Sequence, residues 1–102
     1  ILAYSPLERG LLTGKVTLDR VFPKGDHRRE HPLYTQENRK RILNALDQIQ
    51  PIAKKYKATL SQIIINCTFN QPGITGAIVG ARNPIQAIEN AKSMQLELSQ
   101  EE

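Results

Sequence analysis

Between Gly76 and Asn90 the chain passes from a short apolar run, Gly76-Ala-Ile-Val79, through Gly80-Ala-Arg82 into Asn83-Pro84. This handover from strand to helix constrains the fold more than any other stretch. Asn83 is a strong N-cap, because its side-chain oxygen accepts from a free amide of the first turn. Pro84, at the first helical position, lacks only the donor that would be orphaned there. A strand, a glycine and a capped helix start carrying Arg82 bring free amides, the positive end of a helix dipole and a guanidinium to one point, which suits a phosphate. Gln86, Glu89 and Asn90 follow at three- and four-residue spacing on one helix face. A carboxylate beside an amide suits a purine edge, accepting from its amino group and donating to a ring nitrogen. The competing reading of the same residues is a solvated helix face behind an ordinary Asn-Pro helix start.

A second segment bears on the choice. Ile1-Leu-Ala-Tyr4 is an apolar run of the kind that forms a buried strand. It feeds into Ser5-Pro-Leu-Glu-Arg-Gly-Leu-Leu-Thr-Gly-Lys15, where Pro6 stops the strand, Gly10 and Gly14 permit tight backbone, and Lys15 offers a point charge to an anion. Tyr4, at the strand's end, presents a flat face to whatever lies above the sheet. Read alone, the segment is also a plain strand-to-loop exit with a buried tyrosine.

Together the two segments resemble the aldo-keto reductase family, in which Y-S-P-L...G-L-L-T-G-K ends the seventh barrel strand and G-A-R-N-P-x-Q-x-x-E-N follows the eighth. The stretch between is similar as well, in Ile52-Ala-Lys-Lys-Tyr56, Leu60-Ser-Gln62 and Gln71-Pro-Gly-Ile74, so the resemblance runs nearly end to end. It implies an α/β fold, the C-terminal fragment of a (β/α)8 TIM barrel, and an NADP (NADPH) cofactor in the complete enzyme. By the same resemblance Tyr4 stacks on the nicotinamide, Ser5, Pro6 and Leu7 run along the pyrophosphate, and Lys15 matches a pyrophosphate-binding lysine of some branches. Gly80, Ala81 and Arg82 match the loop that holds the 2′-phosphate, and Gln86, Glu89 and Asn90 the adenosine-binding residues. Two positions depart from the pattern. Ala81 stands where many members carry a hydroxyl donor, leaving phosphate binding to Arg82 and backbone amides. Cys67 stands where relatives often carry tryptophan on a packing helix.

The family barrel needs roughly 250 residues, against 102 here. The resemblance places the Asp, Tyr, Lys and His that carry out the reduction on earlier strands, and no residue of this chain matches them, so no catalytic residue is assigned. His27 and His31 fall in the charged stretch Lys24-Gly-Asp-His-Arg-Arg-Glu-His31, which reads as a solvated loop. The chain opens inside a strand without methionine, and Ser99 with Glu102 forms a capping-box pattern that announces a further helix. Both features read as part of a larger protein.

Composition excludes several classes. Hydrophobic residues at 39% and charged residues at 24% suit a globular chain rather than a disordered one. No apolar run is long enough for a membrane helix and no signal-peptide pattern opens the chain, so a cytoplasmic protein without a membrane partner is expected. The single cysteine, Cys67, lies amid Ile63-Ile-Ile65 and Phe69 and reads as a buried structural thiol; no metal site is expected. The net charge of +4 fits cofactor-phosphate contacts and surface lysines as well as a polyanionic partner.

Four stretches follow along one partial domain: 1–15 as strand and cofactor loop, 16–34 as a mobile charged loop, 35–71 as helices, and 77–95 as a second strand and the nucleotide-side helix. Thr35 caps a helix through Tyr56, whose Ile42, Leu46, Ile49, Ala53 and Tyr56 make one apolar stripe and whose Pro51 predicts a kink. Thr59 and Gln62 form a capping box opening a helix that Pro72 and Gly73 close, with Leu60, Ile63, Ile64 and Cys67 toward a core. Ile85, Ile88 and Ala91 are expected to do the same for the last helix. Two strands cannot close a barrel. Alone, the chain is therefore expected to be mainly helical, self-associating, inactive, and weak or silent in NADPH binding, with its strand segments irregular or paired between chains; its natural partner would be the missing N-terminal barrel portion. The alternative is a small basic helical module for nucleic acid or protein interaction, since helices 35–56 and 60–70 loosely resemble a helix-turn-helix and Arg39-Lys-Arg41 could meet phosphates. A solvated helix face explains that triplet too, and no nucleic-acid partner is expected.

Overall fold

The computed structural model describes residues 1–99 and residue 101; the Ser99–Glu102 capping pattern ends outside the described residues. Strand β1 (Leu2–Tyr4) is followed by a 3-10 turn at Leu11–Thr13, a long excursion, a second turn at Pro32–Tyr34, and helix α1 (Gln36–Lys55). Helix α2 (Leu60–Phe69), strand β2 (Gly76–Ile78), helix α3 (Pro84–Lys92) and a final turn at Ser93–Gln95 complete the chain. The strands pair in parallel, Leu2 opposite Gly76 and Tyr4 opposite Ile78. Parallel strands need a long crossover, and here α1 and α2 supply it. The expectation of irregular or intermolecular strands is thus corrected: both strands find each other within the chain.

Local rules set the helix boundaries. The Thr35 side chain accepts from the Asn38 amide at 3.2 Å and starts α1. At α2 the capping box is complete, with Gln62 N donating to Thr59 Oγ1 at 3.2 Å and Thr59 N donating to Gln62 Oε1 at 3.0 Å. Asn83 Oδ1 accepts from Gln86 N at 2.9 Å, and Pro84 occupies the first position of α3. Pro51 lies inside α1, and α2 stops at Phe69, short of Pro72.

The core is assembled less from helix stripes than from the loop between residues 11 and 34. Leu11, Val16, Phe22 and Tyr34 form one buried cluster against Ile42 of α1. Segment 16–34, read from sequence as mobile, is anchored by its own apolar side chains and by Arg39. That guanidinium is buried in the second turn of α1 and donates to the carbonyls of Tyr34 (2.8 Å), Thr17 (3.2 Å) and Arg20 (2.7 Å). The basic triplet is consequently not a phosphate-facing unit, since Arg39 points inward while Lys40 and Arg41 are exposed. Gly14, at φ +82°, closes the turn under Leu60 of α2; a Cβ there would sit 3.1 Å from Leu60 Cδ1.

Leu46, Ala53 and Ile63 are buried as their spacing implies, whereas in α2 Leu60 and Ile64 are only half-buried and Ile65, outside the expected stripe, is buried. Cys67 is half-buried, and burial pushes its thiol pKa up. The stripe of α3 behaves otherwise. Ile85 is 77% and Ile88 58% exposed, Ala91 is exposed, and no residue of α3 is buried. The expected core face of α3 is therefore an open apolar face. No helix among the described residues is long and apolar enough to cross a membrane.

Candidate functional site

The parallel pairing of β1 and β2 places the segments leaving their C-terminal ends side by side. Between them opens a cleft of about 870 Å³. One side is Tyr4, Ser5, Pro6 and Leu7; the other is Ile78 to Arg82 with Gln86 from the first turn of α3. The two stretches that stood out in the sequence are more than seventy positions apart, and the crossover brings them to one place.

Each wall has a structural reason. Tyr4 ends β1 and is 82% exposed, so the described residues leave its aromatic ring largely uncovered. Ser5 follows at φ 50°, and Glu8 and Arg9 at 49° and 55°. Left-handed backbone at non-glycine residues is costly, and it gathers where a loop must present its groups in one shape. That loop is tied from below, since the Tyr34 hydroxyl donates to the Glu8 carbonyl. On the opposite side the Arg82 amide donates to Gln86 Oε1 at 2.7 Å, and Asn90 Nδ2 donates to the Gly80 carbonyl at 3.1 Å. Helix α3 thus holds residues 80–82 with its own side chains. Arg82 itself is exposed.

Three of the residues expected in the site stand apart. Lys15 is exposed beyond the 3-10 turn and does not line the cleft. Glu89 borders a different hollow, beside Thr59 and Gln62. Asn90 lies behind the loop, its amide spent on Gly80. Tyr4, Ser5, Pro6, Leu7, Gly80, Ala81, Arg82 and Gln86 all line the cleft.

The cleft has a further wall, Arg9 and Gly10 with Gly25-Asp-His-Arg28 from the long loop, none of them among the site residues expected from the sequence. Asp26 Oδ1 accepts from the Arg28 amide at 2.9 Å, an Asx turn that its position after Gly25 makes legible in hindsight. The carboxylate then pairs with the Arg28 guanidinium at 2.8 Å, and both bonds hold the Asp26 carboxyl far below its ordinary range. Arg28 Nη1 reaches the Arg9 carbonyl at 3.2 Å, and the guanidinium lies 4.3 Å over the Phe22 ring. Arg28 therefore stitches the two loops together. His27 is exposed at the cleft, and His31 caps the turn at Pro32–Tyr34 by accepting from the Leu33 amide at 3.2 Å.

Three guanidinium groups (Arg9, Arg28, Arg82) against one carboxylate (Asp26) make the cleft electropositive. An open aromatic face at one end and a helix N-terminus with an arginine at the other suit a long anion with a flat ring. The volume falls within the ~300–1,000 Å³ usual for small-molecule sites.

The aldo/keto reductase family model matches residues 1–102. A NADH-specific methylglyoxal reductase of Escherichia coli is 32% identical over 99 residues, which is 97% of this chain and 30% of the relative. An aldo-keto reductase of Schizosaccharomyces pombe whose name specifies NADP(+) is 32% identical over 99 residues, 97% of this chain and 29% of the relative. Among solved structures, a glycerol dehydrogenase from Gluconobacter oxydans superposes with a TM-score of 0.87 at 33% identity, over 98% of this chain and 30% of the other. The chain spans about 30% of the length of these relatives.

Proposed function

Because the chain belongs to the aldo-keto reductase family, whose members are NAD(P)-dependent, we propose that it forms the nucleotide-holding part of an NADP-dependent carbonyl reductase. The observation that carries the reading is the single cleft shared by Tyr4-Ser-Pro-Leu7 and Gly80-Ala-Arg82 with Gln86. The cofactor, when bound, supplies hydride to a carbonyl carbon. The residues of this chain position it. Tyr4 offers its exposed ring to the nicotinamide, and the left-handed loop from Ser5 to Gly10 runs beside the pyrophosphate with Arg9 and Arg28 as its cations. Arg82, Gly80 and Ala81 receive the 2′-phosphate, and Gln86 keeps that loop in shape. Glu89, Asn90 and Lys15 do not line the cleft. The proton donor is outside this chain, so turnover belongs to a protein that also contains the other barrel strands, and the 102 residues alone give none.

The relatives differ in cofactor, one being named NADH-specific and another for NADP(+), so the preference rests on this chain's own residues. A guanidinium forms charge-assisted bonds with a 2′-phosphate and has no equivalent partner on a bare ribose. In an enzyme carrying this segment, fluorescence titration is expected to give NADPH binding roughly ten- to a hundredfold tighter than NADH. Arg82→Ala removes most of that gap. Equal affinities in the unmutated enzyme would refute the assignment.

A further inference from the structure

Helix α3 carries the side chains that shape residues 80–82, yet buries none of its own. Something other than apolar packing must fix its position. Two amide side chains of α2 do so. Gln62 and Asn66 are one helical turn apart and therefore on one face, and both are buried, Asn66 to 1% exposure. Gln62 Nε2 donates to the Glu89 carbonyl at 2.9 Å. Asn66 Nδ2 donates to the Ser93 carbonyl at 2.8 Å and to the Leu96 carbonyl at 3.0 Å.

The choice of acceptors follows from helix chemistry. The last carbonyls of a helix lack intrahelical partners and need donors from elsewhere. The Ser93 amide turns to Ala91 and Asn90, leaving the Glu89 carbonyl for Gln62. The other ends of both amides are occupied. Gln62 Oε1 accepts from Thr59 N, and Asn66 Oδ1 accepts from Asn70 Nδ2 at 3.0 Å. Each side chain is thus a fixed strut between α2 and the end of α3.

We infer that Gln62 and Asn66 are positioning residues for the nucleotide site, setting the grip on the 2′-phosphate end of the cofactor through α3 without touching the cofactor. The path is continuous: Gln62 and Asn66 fix the backbone at Glu89 and Ser93, Asn90 fixes Gly80, and Gln86 fixes the Arg82 amide. A shift of α3 moves both loop contacts together. The inference rests on the nucleotide reading of the cleft.

The test uses Gln62→Glu and Asn66→Asp in an enzyme carrying this chain. Each keeps the acceptor oxygen for the capping box or the Asn70 contact, and each turns the donor to α3 into a second carboxylate oxygen that is repelled by the carbonyl it faces. NADPH Kd is expected to rise about tenfold in either variant. NADH Kd changes much less, so the preference between the cofactors narrows, and kcat at saturating NADPH is unchanged. A purely structural role would lower the folded fraction and affect both cofactors alike; an unaltered NADPH:NADH affinity ratio in the folded variants overturns the proposal. Failure of the unmutated enzyme to bind either cofactor overturns the nucleotide reading and this proposal with it. Hydrogen exchange on the unmutated chain gives a check independent of variant folding. The Arg82 amide is expected to exchange as slowly as the Ala87 amide of α3, because loop and helix are one unit. Exchange at the rate of an unprotected peptide would overturn it.

Discussion

Replacing Arg39 with methionine tests how the long loop is held. Methionine keeps an unbranched apolar stem but removes the guanidinium and its bonds to the carbonyls of Tyr34, Thr17 and Arg20. A hydrogen bond from a charged donor contributes ~1.5–3 kcal/mol net. Three such bonds would suggest a larger total, but losses of bonds sharing one side chain are not additive. Thr17 and Arg20 are exposed and their carbonyls can turn to water, whereas Tyr34 is buried. The Arg39 guanidinium also lies 5.1 Å from the Phe22 ring centroid, which adds about 0.5–1 kcal/mol. Against these stands the relief of no longer burying a cation without a carboxylate. The balance is a loss of roughly 2–4 kcal/mol. Urea denaturation followed by circular dichroism reads that loss, and trypsin cleavage at Lys24 and Arg29 should accelerate in parallel. A loss below about 1 kcal/mol with unchanged cleavage would show that Leu11, Val16, Phe22 and Tyr34 hold the loop unaided.

Thr59→Ala removes one half of the capping box and should cost about 1 kcal/mol in the same urea titration, with Thr59→Ser restoring it. Asp26 has its folded-state pKa depressed, first by the side-chain bond from Arg28 and then by the Arg28 amide. Its contribution is therefore complete above the ordinary value of 3.8 and is lost as pH falls below it. Asp26→Asn should lower stability where that contribution is complete, in the neutral region, and flatten the acid limb, so that the two stability–pH profiles converge as pH falls. For the chain by itself, Ile85, Ile88, Met94, Leu2 and Ile78 leave an apolar surface that favours association; light scattering should show a mass that grows with concentration, and a monomer at all concentrations would refute this.

The parts of the fold legible in the sequence are those set within one or two turns of chain. Thr35, the Thr59–Gln62 pair and Asn83-Pro84 announce their helices because a cap needs only its neighbours. The core was much less legible. Val16, Phe22 and Tyr34 recur at neither a strand nor a helix period, so no pattern marks them as interior, and the charges between them argue for solvent. Arg39 was read with Lys40 and Arg41 because arginine is rarely buried unless paired. Here backbone carbonyls of the very loop it anchors take the place of a carboxylate, and no sequence rule identifies those partners. The cleft shows the same division. Gly80 and Arg82 stand out by strand-to-cap chemistry and Ser5 to Leu7 by the family resemblance, while Arg9 and Gly25 to Arg28 join them only through tertiary contact.

The alternation along the two strands connects the site to the open surfaces. Leu2 and Tyr4 face one side with Gly76 and Ile78, and Ala3 and Ala77 face the other, where α2 packs on β2. The larger side chains are on the uncovered side: Leu2 is 61% and Ile78 55% exposed, while the small alanines are half-buried. A freestanding sheet would place its bulk toward the helices. A barrel reverses the need, because inward-facing side chains must fill its interior. The sequence of these strands is therefore adapted to a surface this chain does not enclose. Tyr4 lies at the end of that same face, so the ring offered to the cofactor and the side chains offered to the barrel interior are set by one register. A slip of one residue between β1 and β2 would turn Tyr4 toward the helices and remove the aromatic face from the cleft.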